Sequence, residues 1–242
     1  MDTSTTTRRN TTTDRERSFL SNVAHELRNP LHSANGFVEM VLDGLAGSLN
    51  ERQLEMLSHA HTAIGQLGTL IEDVLFVARS DNGEIQLRVS TVDPSTILTC
   101  ALDCIRELAH EQGVTVSRQD LTLPTTIQAD SERLREGLAG LLRGGLAMMP
   151  TQGEMTVAAK TCDDHLVFEV ALDQVRINAT DRRHLFDRFY QPCPLGADRS
   201  AYLGLGLVIA QTTAQWHGGH VRVASTTDGS VMLCYELPLN CS

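Results

Sequence analysis

The sequence lacks several features that would assign it to a common class. None of its apolar runs approaches the ~20 residues of a membrane-spanning helix. Residues 1–17 are rich in Thr and Arg and lack the apolar stretch of a secretory signal, so we expect residues 1–14 to form a disordered tail. The formal net charge is −10 and no basic stripe stands out, which disfavours nucleic-acid binding. We therefore expect a cytoplasmic protein whose chain contacts no membrane.

The cysteines also lack a pattern with a specific function. None of the six shows metal-finger spacing. Cys100 and Cys104 are one helical turn apart, which suits a buried helix face better than a disulfide framework. We expect reduced, structural thiols.

Residues 15–82 show the pattern of an antiparallel helical hairpin. Apolar residues recur at steps of three and four along one helix, at Leu20, Val23, Leu27, Leu31, Ala34, Val38, Val41 and Leu45. Turn residues fill 43–50, and a second helix carries a heptad stripe at Leu57, Ile64, Ile71 and Ala78. Two helices cannot bury such broad stripes alone, so we expect a homodimeric four-helix bundle. The alternative is a hairpin packed on the rest of its own chain.

The first helix carries a candidate reactive histidine. Helical projection places His25 on the side opposite Val23 and Leu27, and so in solvent. A neutral imidazole is a nucleophile near pH 7, and Glu26 could accept its other ring proton. Asn29 lies one turn later and could hold a phosphoryl oxygen or an attacking water, while Arg28 could balance phosphoryl charge. Taken in isolation, His25 would be one surface histidine among nine.

The string His-Glu-Leu-Arg-Asn-Pro-Leu, residues 25–31, resembles the H box of sensor histidine kinases. This box lies in their dimerisation and phosphoacceptor domain. The resemblance implies that His25 accepts a phosphoryl group and that the partner is the receiver domain of a response regulator.

Residues 83–242 combine strand and helix patterns. Asp93 and Asp130 each precede a predicted helix as N-caps, and the first of these helices is expected to run towards Gly113. Strands are predicted at 84–89, 114–118, 126–129, 154–160, 165–172, 220–225 and 231–237, with further helices at 132–148, 181–186 and from 204. This order favours a two-layer α/β sandwich, and the whole chain is expected to be α+β.

Two segments of this half resemble the ATP-binding domain shared by histidine kinases, Hsp90 and DNA gyrase. Residues 185–190 (Leu-Phe-Asp-Arg-Phe-Tyr) are similar to the F box, and residues 203–210 are similar to the second glycine box. The resemblance implies an ATP site that includes Asp173, Phe189, Gly204, Gly206 and Leu207. Residues 191–202 would then form its mobile lid, or alternatively an ordinary surface loop.

Other parts of the ATP-binding pattern are altered. Gly140 and Gly144 stand where the family has two asparagines, the second of which holds Mg²⁺, and glycine supplies no side-chain oxygen. Glu136, one turn earlier, is a possible substitute ligand. Gln174 and Arg176 replace the glycines of the first glycine box, and Asp173 lies one place from the expected adenine-binding aspartate unless a local slip restores it.

Three functions follow from this mixture. The first is an autokinase that transfers phosphoryl from Mg²⁺-ATP to His25 and then to a regulator aspartate. The second is a histidine phosphotransferase with a decayed ATP site, which receives phosphoryl from a partner or dephosphorylates a regulator. The third is a scaffold without phosphoryl chemistry, which would leave the intact H box unexplained.

Overall fold

The computed structural model describes residues 26–81, 85–120, 123–192 and 203–239. The chain divides into two compact units between Ile85 and Gln86, here called the helical unit and the α/β unit. His25, the predicted tail and residues 193–202 of the predicted lid lie outside the described residues.

The helical unit contains two helices joined by a turn. Helix α1 covers residues 26–42 of the described part, and α2 is Glu51–Asp81. Gly44 and Gly47 adopt positive φ angles of 79° and 106° in the turn. The Asn50 side chain accepts a hydrogen bond from the Gln53 N–H at 2.9 Å, and the Gln53 side chain accepts one from the Asn50 N–H at 3.0 Å. This reciprocal capping box fixes the start of α2.

The predicted apolar stripes are only partly covered within the chain. The heptad positions of α2 and the middle of the α1 stripe are half-buried: Leu31, Ala34, Val38, Val41, Leu57, Ile64, Ile71 and Ala78. On α2, three further apolar side chains stay 41–49% exposed: Leu54, Leu67 and Val74. The helical unit therefore keeps an apolar face that the described chain does not cover.

The α/β unit is built from seven strands and five helices within its described residues. The strands are β1 Ser90–Val92, β2 Thr115–Asp120, β3 Ile127–Ala129, β4 Glu154–Cys162, β5 His165–Leu172, β6 His220–Ser225 and β7 Val231–Pro238. The helices are α3 Pro94–Asp103, α4 Arg106–Glu111, α5 Ser131–Leu146, α6 Ala179–His184 and α7 Gly206–Trp216.

The main sheet has five strands in the order β2-β4-β5-β7-β6. Strand β2 pairs with β4 in parallel and the other neighbours are antiparallel, while β1 and β3 form a separate antiparallel pair. One face of the sheet is covered by α5 and α7, which also pack on each other. Their apolar side chains join those of the sheet in one core. The mixed sheet and its helical layer confirm the predicted α+β class.

The predicted strand at 84–89 is wrong over its described part. Residues 85–89 form no strand, and pairing begins only at Ser90. The backbone N–H of Arg88 donates instead to the Asp130 carboxylate at 2.7 Å, and Val89 is 56% exposed. A side-chain acceptor has taken the place of a strand partner.

Three other local predictions need correction. The helix after Asp93 breaks between α3 and α4. Helix α6 begins two residues early because the Asn178 side chain accepts hydrogen bonds from the N–H groups of Thr180 and Asp181 at 2.8 Å each. Cys100 and Cys104 are exposed rather than buried. Together with Cys162 and Cys234 they are free thiols.

Candidate functional site

The residues that follow His25 lie on the first turn of α1 that the structure describes. Glu26 and Asn29 are exposed. Arg28 reaches across the hairpin, and its Nε and Nη2 donate to Glu72 Oε1 at 2.9 and 2.6 Å. Both side chains are over a third exposed, so we expect the pair to add no more than about 1 kcal/mol to stability. Sequence analysis missed Glu72, because pairing across a hairpin has no sequence signature.

A second polar contact joins the two helices further along the hairpin. His61 Nε2 lies 3.2 Å from Glu39 Oε1, and Asn35 Nδ2 donates to the same oxygen at 2.6 Å. Together with the Arg28–Glu72 pair, this contact joins α1 to α2 at two points. The position of the reactive turn therefore depends on α2 as well as on α1.

In the α/β unit, the structure brings the predicted F box against the predicted glycine box. Gly204 has a φ of +69°, and a Cβ at this position would lie 2.3 Å from the carbonyl oxygen of Tyr190. Only glycine fits such an approach. Helix α7 starts two residues later at Gly206, with no side-chain cap on its first turn. The free backbone N–H groups of such a buried helix N-terminus can donate hydrogen bonds to phosphate oxygens.

A hydrogen-bonded group fixes the turn of the F box. The Tyr190 hydroxyl donates to Asp181 Oδ1 at 2.5 Å, and Asn178 Nδ2 donates to Asp181 Oδ2 at 2.9 Å. Both oxygens of the buried carboxylate are therefore used. Phe189 stands beside this group with a φ of +60° and an exposed side chain. Sequence analysis singled out Phe189 but not Asp181, which holds the turn.

Helices α5 and α7 approach each other through glycines. A Cβ on Gly140 would lie 2.6 Å from the carbonyl oxygen of Gly206, and a Cβ on Gly206 would lie 2.6 Å from that of Gly140. Each backbone therefore occupies the space that the other residue's side chain would need. Gly140 is the position at which the family resemblance expects an asparagine.

The ends of these helices are joined by a buried histidine. His217 Nε2 accepts from the Asp130 N–H at 3.0 Å, while its Nδ1 lies 2.8 Å from the Thr213 carbonyl oxygen. Neutral His217 with its proton on Nδ1 satisfies both contacts. Asp130 in turn accepts from the N–H groups of Glu132 and Arg133 at 3.1 Å each. The start of α5 and the end of α7 are thus held together.

Asp173 lies away from this contact. It lines an open pocket of about 230 Å³ with Glu154 and Asp228, and the pocket is completed by Thr156, Ala171, Leu172, Thr226 and Ser230. None of these lining residues belongs to α7. Three carboxylates in one small pocket would repel a negatively charged phosphate group. Gln174, the next residue, has a φ of +61° that favours the glycine expected there.

The described residues contain no preformed cluster of metal ligands. Within them, no group of three or more His, Cys, Asp or Glu side chains is placed to hold a metal. Glu136, the possible ligand, is ion-paired with Arg133 at 2.6 Å. Burial raises the pKa of Glu136 although Arg133 opposes this effect. A carboxylate that is already paired with an arginine is a poor site for a divalent cation.

Two known families match separate parts of the chain. Residues 15–83 match the family described as His Kinase A (phospho-acceptor) domain. Residues 129–240 match the family described as histidine kinase-, DNA gyrase B-, and HSP90-like ATPase. Among described residues, no helix is both long and apolar enough to cross a membrane.

Curated relatives carry both parts in the same order. The sensor protein DivL of Caulobacter vibrioides is 30% identical over 91% of this chain and 28% of its own length. The circadian input-output histidine kinase CikA of Synechococcus elongatus is 29% identical over 86% of this chain and 28% of its own length. The chain thus spans less than a third of these relatives.

Solved structures show the same fold. Full-length ShkA in complex with AMPPNP superposes with a TM-score of 0.68 at 25% identity, over 93% of this chain and 46% of ShkA. The histidine kinase AdeS of Acinetobacter baumannii gives a TM-score of 0.58 at 16% identity, over 90% of this chain and 98% of AdeS.

Proposed function

Because the chain belongs to the sensor histidine kinases, with a phosphoacceptor domain followed by an ATPase-like domain, we propose that it carries phosphoryl groups on His25. The phosphoryl group then passes to an aspartate in the receiver domain of a response regulator. The observation that carries this proposal is the H-box string at residues 25–31, whose described members Glu26 and Asn29 are exposed. An exposed turn is one that a partner's active site can reach.

The residues beside His25 have separate roles in this proposal. Glu26 orients the imidazole or accepts its second proton, which raises the nucleophilicity of the other ring nitrogen. Asn29 holds a phosphoryl oxygen or the water that attacks phosphoaspartate on the regulator. Arg28 is tied to Glu72 at 2.6 Å, so it contributes a fixed positive charge near the reactive turn.

The helical unit is proposed to act as a homodimer. The 41–49% exposure of Leu54, Leu67 and Val74 leaves an apolar stripe along α2. Packing this stripe on the same stripe of a second copy gives a four-helix bundle with an isologous interface. Such a bundle covers apolar surface while leaving the side opposite the stripes open to a regulator.

The α/β unit is proposed to be a nucleotide domain in the cytoplasm. Backbone N–H groups at Gly204, Gly206 and Leu207 would face the phosphates of ATP, with Phe189 and Asp173 at the margins of the site. The location of Gly204 against the F box supports this assignment.

Labelled phosphoryl donors test the proposal. The full chain and its His25→Gln variant are incubated in parallel with labelled Mg²⁺-ATP, with labelled phosphoramidate and with receiver domains charged from labelled acetyl phosphate. We expect acid-labile, alkali-stable label on the wild-type chain and none on the variant. If a folded wild-type chain takes no such label from any of the three donors, the proposed function is wrong.

A further inference from the structure

Small residues occur at several points of the contact between α5 and α7. On α5, the positions Gly137, Gly140 and Gly144 follow at three and four residues and so share one face. They meet Gly206 at the start of α7 and Thr213 near its end, with the two helices antiparallel. We call these five residues the glycine seam.

No side chain fits into the glycine seam at Gly137, Gly140 or Gly206. A Cβ on Gly137 would lie 2.0 Å from Thr213 Oγ1, and a Cβ on Gly140 would lie 2.6 Å from the Gly206 carbonyl oxygen. Gly206 also lies beside Gly144, since its own Cβ would be 3.4 Å from the Gly144 backbone nitrogen. Real Cβ atoms do not approach backbone oxygens at 2.6 Å, so a side chain at Gly140 requires α7 to move.

Buried hydrogen bonds hold α7 in this position. Thr213 Oγ1 donates to carbonyl oxygens of its own helix, and Tyr235 donates its hydroxyl to Thr213 Oγ1 at 3.1 Å. Tyr235 is fully buried in the sheet. At the end of α7, His217 accepts from the Asp130 N–H at 3.0 Å. A displacement of α7 would therefore break buried polar contacts at two points.

The glycine seam also supplies no metal ligand. Mg²⁺ bound with a nucleotide needs one or two protein oxygens beside the phosphates. Glycines offer none from their side chains, and the neighbouring carboxylate of Glu136 is paired with Arg133. The backbone approach at Gly140 leaves no room for a side chain there, and Gly144, where the resemblance places the metal-binding asparagine, has no side-chain oxygen either.

We infer that the glycine seam is a closed, metal-free helix contact and that this α/β unit does not hold Mg²⁺-ATP for phosphoryl transfer. The inference rests on the proposed function for the identity of the nucleotide and for His25 as the phosphoryl acceptor. Since positioning and charge neutralisation by Mg²⁺ supply most of the catalysis of phosphoryl transfer from ATP, His25 then depends on another phosphoryl donor.

Calorimetric titration of the full chain with ATP tests this inference directly, once in excess Mg²⁺ and once in EDTA. We expect either no binding in both solutions or dissociation constants that agree within about threefold. Tighter binding in Mg²⁺ by more than that factor would overturn the inference. Label on His25 from Mg²⁺-ATP would also overturn it while supporting the proposed function.

Substitutions in the glycine seam provide a second test. Gly140→Asn introduces a side-chain oxygen, and Gly140→Ala introduces only the methyl group. We expect both variants to melt several degrees below wild type, because each needs α7 to shift. Gly68→Ala is the matched control, since Gly68 is a helical glycine with no atom near its added Cβ, and its melting temperature should not fall.

The outcomes separate the two claims. A Gly140→Asn variant that melts like wild type would show that the seam admits a side chain, and the inference would be lost. Label on His25 from phosphoramidate or charged receiver domains, but not from Mg²⁺-ATP, supports both claims. Absence of label from all donors rejects the proposed function and leaves the metal titration to decide the inference.

Discussion

Replacing Asp130 should destabilise the α/β unit much more than removing a typical helix cap does. Its carboxylate accepts from the N–H groups of Glu132 and Arg133 at the start of α5, and also from Arg88 at 2.7 Å. Loss of an N-cap costs about 1 kcal/mol. Loss of a further hydrogen bond to a charged acceptor costs about 1.5–3 kcal/mol. We therefore expect Asp130→Ala to lower the free energy of unfolding by about 2–4 kcal/mol.

Asp93→Ala is the matched control for this measurement. Asp93 caps α3 by accepting from the Ser95 N–H at 2.9 Å, and its carboxylate also accepts from the Thr96 hydroxyl within the same helix. Its replacement should cost only about 1 kcal/mol. The sole tryptophan of the chain, Trp216, lies at the end of α7, so its fluorescence during denaturation reports on the α/β unit. Equal losses in the two variants would refute the assigned role of the Arg88 contact.

The same carboxylate should make stability depend on pH. Burial acts to raise the pKa of Asp130, but hydrogen bonds from Arg88 and Arg133 outweigh it and leave the pKa below its ordinary value. A lowered folded pKa means that the stabilisation is present above the unfolded pKa of about 4 and is lost as pH falls through the folded value. The stability difference between wild type and Asp130→Asn should therefore shrink below about pH 4. A constant difference down to pH 2 would contradict this.

Two further predictions concern the turns that follow the strands. Gln174→Gly should raise the free energy of unfolding by about 0.5–1 kcal/mol, measured by denaturation followed by Trp216 fluorescence. Gln174 has a φ of +61°, which costs a non-glycine residue about 1–2 kcal/mol. The greater entropy of glycine in the unfolded state offsets part of this gain. Unchanged or lower stability would contradict this. Hydrogen bonds from Ser230 and Thr226 lower the pKa of Asp228 to about 2, so its contribution should be lost between about pH 4 and pH 2. The denaturation midpoint of wild type should fall more across that range than that of Asp228→Asn, and parallel curves would show that the hydroxyl contacts do not stabilise the fold.

The motifs and helix caps could be predicted from the sequence because the interactions that produce them are local. Asp93 and Asp130 each precede a helix and cap it through bonds within three residues, so a short stretch of sequence is sufficient to predict them. The strand predicted at 84–89 failed for the opposite reason. Its Arg88 N–H is paired with Asp130, 42 residues away, and no property of the segment itself indicates that partner.

The reactive half and the nucleotide half differ in what sequence could predict. The H box is a contiguous string of seven residues, so its residue types and their spacing were sufficient to propose its chemistry. The alterations at Gly140 and Gly144 were also visible, but only as missing oxygens. The close backbone contact that Gly140 makes with Gly206 joins two segments 66 residues apart in sequence, so the sequence did not predict it.

The sequence by itself determined the two-part organisation, the α+β class, the helix caps and the candidate phosphoacceptor, because periodicity, capping and contiguous motifs act over a few residues. Tertiary structure alone decided that Arg28 pairs with Glu72, that His217 joins Asp130 to α7, and that α5 and α7 meet through glycines. These contacts depend on how distant segments pack, and van der Waals fit in a core is a property of the assembled surfaces rather than of any single segment.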